Sequence, residues 1–169
     1  MKNKKYLILL FLSLLSIDMI SKYLTFLYIP KMNIFHPFYP YGGIGIFKIY
    51  KVSLSLNYVA NKGIAWGFFS NYSDYIVFIR IFVVVGVVFY SIYSKILYKI
   101  PIILILTGAV GNVLDYFLYG HVIDMIHFKF GSFSYPLFNF ADILITLGIV
   151  GIIFTKKEKN ENRDYICRK

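Results

Sequence analysis

Two short stretches in the C-terminal half of the chain each set one aspartate beside an apolar segment. They are Gly120-His121-Val122-Ile123-Asp124 and Phe138-Asn139-Phe140-Ala141-Asp142. A carboxylate in or near hydrocarbon is costly, and those found there are functional or paired. Two such acids within interaction range cannot both ionise easily, so they share one proton. One member can then take a proton from water while the other gives one to a carbonyl oxygen, which is hydrolysis of the aspartic-peptidase type. Asp124 and Asp142 are therefore the candidate catalytic pair. Asp142, at the start of a helix-length apolar run, is expected to be the ionised member, because a helix N-terminus favours an anion.

Other chemistries are poorly supplied. The sequence holds no His-Glu-x-x-His helix and no Gly-x-Ser-x-Gly elbow. His121, Asp124 and His127 stand at i, i+3, i+6, a spacing that could bind a metal on a helix, but the segment reads as short and irregular. No metal and no cofactor are expected. The single cysteine, Cys167, lies in a polar tail and allows no disulfide within one chain. Gly108-Ala109-Val110-Gly111 reads as close helix packing rather than a phosphate loop.

The elements that must position these residues follow from composition. The 169 residues are 59% hydrophobic and 15% charged, and the mean hydropathy is +0.67, which describes an integral membrane protein. The net charge of +10 does not point to nucleic acid, because the basic residues flank apolar segments instead of clustering. Aromatics at 20% suit interfacial belts. Spans are expected at about 6–29, 75–93, 100–119 and 138–154. The N-terminus resembles a signal peptide, but Asp18 and Lys22 stand where a cleavage site would be, so it is read as a retained span. Lys2, Lys4 and Lys5, then Lys95 and Lys99, then Lys156, Lys157, Lys159, Arg163, Arg168 and Lys169 would share one side, which makes both termini cytoplasmic. Lys31, Lys48, Lys51, Lys62 and Lys129 lie on longer segments opposite.

The expected architecture is an all-α membrane protein, a four-transmembrane-helix bundle with a small extracytoplasmic β-sheet after the first helix. Residues 1–155 form one integral membrane domain, with the β region at about 30–74 and a basic, frayed cytoplasmic tail at 156–169. Val52-Ser53-Leu54-Ser55-Leu56-Asn57-Tyr58 alternates with period two, as a strand with one buried face does, and Pro37, Pro40, Gly42, Gly43 and Gly45 supply turns before it. The sheet is expected to lie on the outer membrane surface.

This topology sets Asp18, Lys22, Arg80, Asp115, Asp124 and Asp142 at one depth near the outer interface. Asp18, for instance, lies roughly 18 Å up the first span at 1.5 Å per residue. Scattered structural charges would not choose one level. Plainer roles exist for each: an i,i+4 ion pair for Asp18 and Lys22, snorkelling to headgroups for Arg80, and a helix cap made by Asn139 and Asp142. Asn61, Asn112 and Asn139 are candidate polar supports. Trp66, Phe68 and Phe69 would shelter the site or sit in the interface.

Five segments together resemble the bacterial lipoprotein signal peptidase (signal peptidase II) family, over nearly the full length. They are Asp18-Met19-Ile20-Ser21-Lys22, Asn61-Lys62-Gly63-Ile64-Ala65-Trp66, Gly108-Ala109-Val110-Gly111-Asn112-Val113-Leu114-Asp115, His121-Val122-Ile123-Asp124 and Phe138-Asn139-Phe140-Ala141-Asp142. The resemblance implies a monomeric membrane aspartic endopeptidase without cofactor, in the bacterial cytoplasmic membrane, with its active site near the outer face. Its substrates would be diacylglyceryl-prolipoproteins, cut just before the lipidated cysteine, and membrane lipids would surround it. Asp124 and Asp142 would be catalytic, and Asp18, Lys22, Asn61, Gly63, Asn112, Asp115 and Asn139 would bind substrate or support the site. The chain departs from the family pattern at Tyr116, where an arginine is usual, so no arginine contact is carried over and Arg80 or another cation could substitute. It departs also at Thr107, where a glycine is usual. The alternative from the residues alone is a small proton- or ion-coupled carrier using Asp18, Asp115 and Asp142 as a relay. A third possibility is a protein that only holds lipoprotein signal peptides.

Overall fold

The computed structural model describes residues 2–33, 35–36, 38–63, 72–93 and 99–167. Trp66, Phe68, Phe69 and Lys95 lie outside these, as do the turn expected at Pro37 and the Ile64-Ala65-Trp66 end of the second motif. Among the described residues the chain forms α1 (Lys2–Tyr28), β1 (Ile44–Ile49), β2 (Val52–Asn61), α2 (Ser73–Tyr93), α3 (Lys99–Tyr119), β3 (Val122–Phe130), β4 (Phe133–Ser134) and α4 (Phe140–Cys167). Three helices are long and apolar enough to cross a membrane, at Lys5–Tyr28, Asp74–Tyr93 and Ile100–Tyr119, and α4 adds a shorter apolar stretch at Phe140–Phe154. Their outer faces leave Leu9, Phe78, Phe82 and Phe89 largely exposed in the isolated chain, as lipid-facing side chains are.

Local sequence sets the helix ends. Pro30 follows the last turn of α1, and Pro101 occupies the first turn of α3, where its missing N–H is harmless. Gly120, at φ +74°, closes α3, its N–H donating to Tyr116 O at 2.9 Å. The backbone of the 156–167 segment continues the α4 helix to Cys167, in keeping with the helix propensity of its lysines and glutamates.

The sheet is larger than the sequence suggests. It has four antiparallel strands in the order β1-β2-β3-β4, and half of it comes from the segment between α3 and α4. That segment reads as a short irregular loop, yet Ile126, Phe128 and Phe130 alternate with His127 and Lys129, a period-two signal for β3. Gly45, expected in a turn, belongs to β1 beside a register shift. On β2 the more buried side carries Ser53, Ser55 and Asn57, while Val52, Leu54 and Leu56 are only partly covered. Pairing aligns those apolar residues with Ile49, Phe47 and Ile44 of β1 and with Phe130, Phe128 and Ile126 of β3. Over this stretch one face of the sheet is thus apolar and the other polar.

A second register shift, between Leu56 and Val59, adds one residue to β2 against β3. Since side chains alternate across a strand, an extra residue reverses the faces beyond it. Asn61 therefore projects on the same side as Val122 and Asp124, opposite to Ser53 and Ser55.

The bundle depends on close backbone approach at α3. A Cβ on Gly108 would run into the carbonyl oxygen of Ala141, and one on Gly111 into the Asp18 carboxylate. The packing role read from this motif holds. Gly111→Ala is expected to lower stability by about 1–3 kcal/mol, the usual cost of overpacking. Gly86→Ala on α2, where a Cβ meets nothing within 4 Å, should be neutral or slightly stabilising. Thermal unfolding of the two variants in detergent measures the difference, and equal melting temperatures would contradict the close-packing account.

Candidate active site

Lys22 is the base of the site. It is wholly buried, and its ammonium meets Asp18 Oδ2 at 2.7 Å, Asp115 Oδ2 at 2.8 Å and Asn112 Oδ1 at 3.0 Å. The three donors of the group are thereby used. The i,i+4 pair expected on α1 exists, but as two arms of a three-helix junction. Asp18 Oδ1 also accepts the Ala141 N–H at 2.9 Å, so α1 supplies an anion to the first turn of α4. Asp115 Oδ2 accepts the Ile123 N–H at 3.3 Å, which seats the start of β3.

Above this junction two amides carry the arrangement to the aspartates. Asn112 Oδ1 accepts from Lys22, so its amino group faces outward and donates to Asp142 Oδ1 at 2.9 Å. Asn139 is the N-cap of α4: its Oδ1 accepts the Asp142 N–H at 3.0 Å, and its own N–H donates to Asp142 Oδ2 at 3.1 Å. This is the reciprocal cap read from the spacing, with aspartate in the acidic place. The Asn139 amino group donates to Asp124 Oδ1 at 2.8 Å and to Asn112 Oδ1 at 3.2 Å. Asn61 Nδ2 completes the set at 2.8 Å from Asp124 Oδ2. Capping and site membership are therefore the same geometry for Asp142, not competing roles.

Asp124 and Asp142 both line a cavity of about 490 Å³ with Asn61, Gly63, Arg80 and Asn112, walled by apolar side chains such as Ile79, Val83 and Phe138. The nine residues expected to be catalytic or supporting are each found at this cavity or at the junction beneath it. Burial is the main cause that pushes the Asp124 carboxyl up to about 7, the Asp142 charge adds to it, and hydrogen bonds from Asn61 and Asn139 oppose it. A carboxyl so placed is a competent proton donor near neutrality, and a second carboxylate on the same cavity wall can act as a base.

The metal reading fails on secondary structure. In a strand, Asp124 and His127 point to opposite faces. His127 Nε2 lies 2.7 Å from Ser134 Oγ, and His121 Nε2 lies 2.9 Å from the Tyr58 hydroxyl. No group of three metal-ligating side chains occurs among the described residues.

Arg80 departs from its expected snorkelling role. It turns into the cavity, and its Nη2 donates to Gly63 O at 2.9 Å. The signal was present in the sequence: Arg80 is a lone charge within an apolar run, at the depth of the others. Tyr116, where the resemblance would lead one to expect an arginine, is half-buried and donates its hydroxyl hydrogen to Asp74, tying the end of α3 to the first turn of α2.

This geometry has relatives. The family described as Signal peptidase (SPase) II matches residues 10–156. A lipoprotein signal peptidase of Chlamydia pneumoniae is 37% identical over 108 residues, 62% of this chain and 64% of that one. One from Chlamydia felis is 39% identical over 98 residues, 56% of this chain and 59% of that protein. The alignments thus span about three fifths of the length of these chlamydial relatives. A lipoprotein signal peptidase of Wigglesworthia glossinidia brevipalpis is 34% identical over 122 residues, 69% of this chain and 77% of its own. Among solved structures, a bacterial membrane enzyme determined by the in meso method at 2.3 Å resolution superposes with a TM-score of 0.75 at 25% identity, covering 94% of this chain and 91% of that one. With the family matched across the helices and strands that build the cavity, the chain belongs to the signal peptidase II family.

Proposed function

We propose that the chain is a membrane aspartic endopeptidase that removes the signal peptide from diacylglyceryl-modified prolipoproteins, cutting before the lipidated cysteine. The observation that carries this reading is the joining of Asp124 and Asp142 through Asn139 on one cavity wall, with the Asp124 carboxyl near neutrality. The names of its relatives supply the substrate class.

In this mechanism the pair holds one proton, on Asp124. Asp142 takes a proton from a water held between them, and the resulting hydroxide attacks the scissile carbonyl carbon. Asp124 protonates the carbonyl oxygen, giving a tetrahedral diol. As the diol collapses, Asp142 returns its proton to the departing amine and Asp124 recovers one from the diol hydroxyl. The dyad ends as it began. Asn112 and Asn139 keep both carboxyls aimed at the cavity, so no reorientation is needed at the moment of reaction.

The membrane setting fits the same scheme. α4 crosses as a fourth span: its apolar stretch is only about 22 Å long at 1.5 Å per residue, so flanking polar groups must reach to the interface. Both termini are cytoplasmic, and the cavity opens at the outer headgroup level. The apolar face of the sheet rests on the outer leaflet and runs toward the cavity through Phe128 and Phe138, whose rings stack at 6.3 Å. Acyl chains of a lipidated substrate then need not leave hydrocarbon. The chain works as a monomer. A carrier has no observation in its favour, because Lys22 holds both Asp18 and Asp115.

Asp124→Asn and Asp142→Asn should each lower cleavage of a purified diacylated prolipoprotein in detergent by about 10³-fold or more. Both variants should still insert in the membrane. Near-normal turnover by either variant would remove the dyad. The second expectation concerns pH. Cleavage should decline as pH rises through about 7, where Asp124 loses its proton. Asn61→Ala deletes a bond that favours the carboxylate, so that alkaline limb should move to higher pH. A pH–rate profile that is level across neutrality contradicts the assignment of the proton to Asp124.

A further inference from the structure

Arg80 is the only cation among the described residues that line the cavity. Nothing in the dyad chemistry uses it. Its surroundings form a chain of three hydrogen bonds: Arg80 Nη2 donates to Gly63 O at 2.9 Å, Gly63 N to Asn61 Oδ1 at 2.9 Å, and Asn61 Nδ2 to Asp124 Oδ2 at 2.8 Å. The middle link fixes the Asn61 amide. With Oδ1 occupied by the Gly63 N–H, only the amino group can face the carboxylate. Gly63 itself lies past the last ladder pair of β2, so the sheet does not hold it. The guanidinium does, from a helix whose main packing partner is α3.

We propose that Arg80 is a positioning residue for Asp124: it anchors the end of β2 to α2 and so keeps the Asn61 amide on the carboxylate. The kinetic part of this proposal rests on the peptidase reading, while its structural part does not. Asp124 is also faced by the charge of Arg80 itself, which acts whether or not Asn61 is present, and by Asp142, Asn139 and the more distant charge of Lys22. The last three are common to all the variants below.

The test is a double-mutant cycle in the full chain, with Arg80→Ala, Asn61→Ala and the pair, on cleavage of a diacylated prolipoprotein in detergent. Each single substitution should lower kcat about tenfold with KM little changed, the kinetic equivalent of one positioned hydrogen bond. The double variant should be no slower than Asn61→Ala, because the arginine acts through the amide. Arg80→Lys, which keeps a charged donor at the same place on α2, should recover part of the loss. Multiplicative losses in the double variant, or a change confined to KM, overturn the proposal. A second readout needs no turnover: the infrared carboxyl band of Asp124, identified by its absence in Asp124→Asn, followed against pH. Arg80→Ala should raise its midpoint, and should raise it less once Asn61 is alanine. An unmoved midpoint, or an equal rise in both backgrounds, overturns the proposal. An inactive wild-type chain would instead count against the peptidase reading and leave this titration to decide on Arg80.

Discussion

One buried ammonium fixes the relation of three helices and a strand. Lys22 enters from α1 and meets carboxylates from α1 and α3 and an amide from α3, with no exposure to solvent. A charge buried at this depth is tolerable only when its partners are in place, and loss of one leaves the others uncompensated. The consequences spread outward. Asp18 can hold the first turn of α4 because Lys22 neutralises it, and Asp115 can seat β3 for the same reason. The orientation of the Asn112 amide, and through it the donor presented to Asp142, follows from the lysine on its other side. Glycine at 108 and 111 is the steric counterpart, since α3 must come close enough for these contacts to form.

The sheet contributes in a different way. Its strands present one apolar and one polar face, and the polar face is covered by the chain preceding β1. There Asn57 Nδ2 donates to Pro40 O, and Lys129 lies over the rings of Tyr39 and Tyr41. The irregularity in β2 turns what would be a uniform amphipathic sheet into part of a polar site, because it rotates Asn61 to the side of Asp124. A bulge re-aiming a side chain beside a reactive group is a recurrent use of that distortion.

The departure at Tyr116 also has a local account. Its hydroxyl reaches the start of α2, so the position serves a helix–helix contact in this chain. Among the described residues that line the cavity, the positive charge comes from Arg80, on a helix that the motifs do not mark.

The sequence by itself determined the helices, the candidate acids and much of their support. Long apolar runs can satisfy their backbone only as helices, and charges inside such runs are too costly to be incidental. Asp18, Lys22 and Asp115 were legible for that reason, Asn112 as a buried amide that must find partners, and the cap of Asn139 and Asp142 from spacing alone. The five motifs added Gly63 and pointed again to Asn61. Less was legible in β1, whose six residues carry a weak periodic signal, and at the start of β3, where Val122 and Ile123 do not alternate; both strands draw their stability from partners distant in sequence. Strand register, the face on which Asn61 projects and the partner that Arg80 finds at Gly63 were decided only by tertiary structure. Each depends on which group stands opposite, and no local pattern along the chain records that.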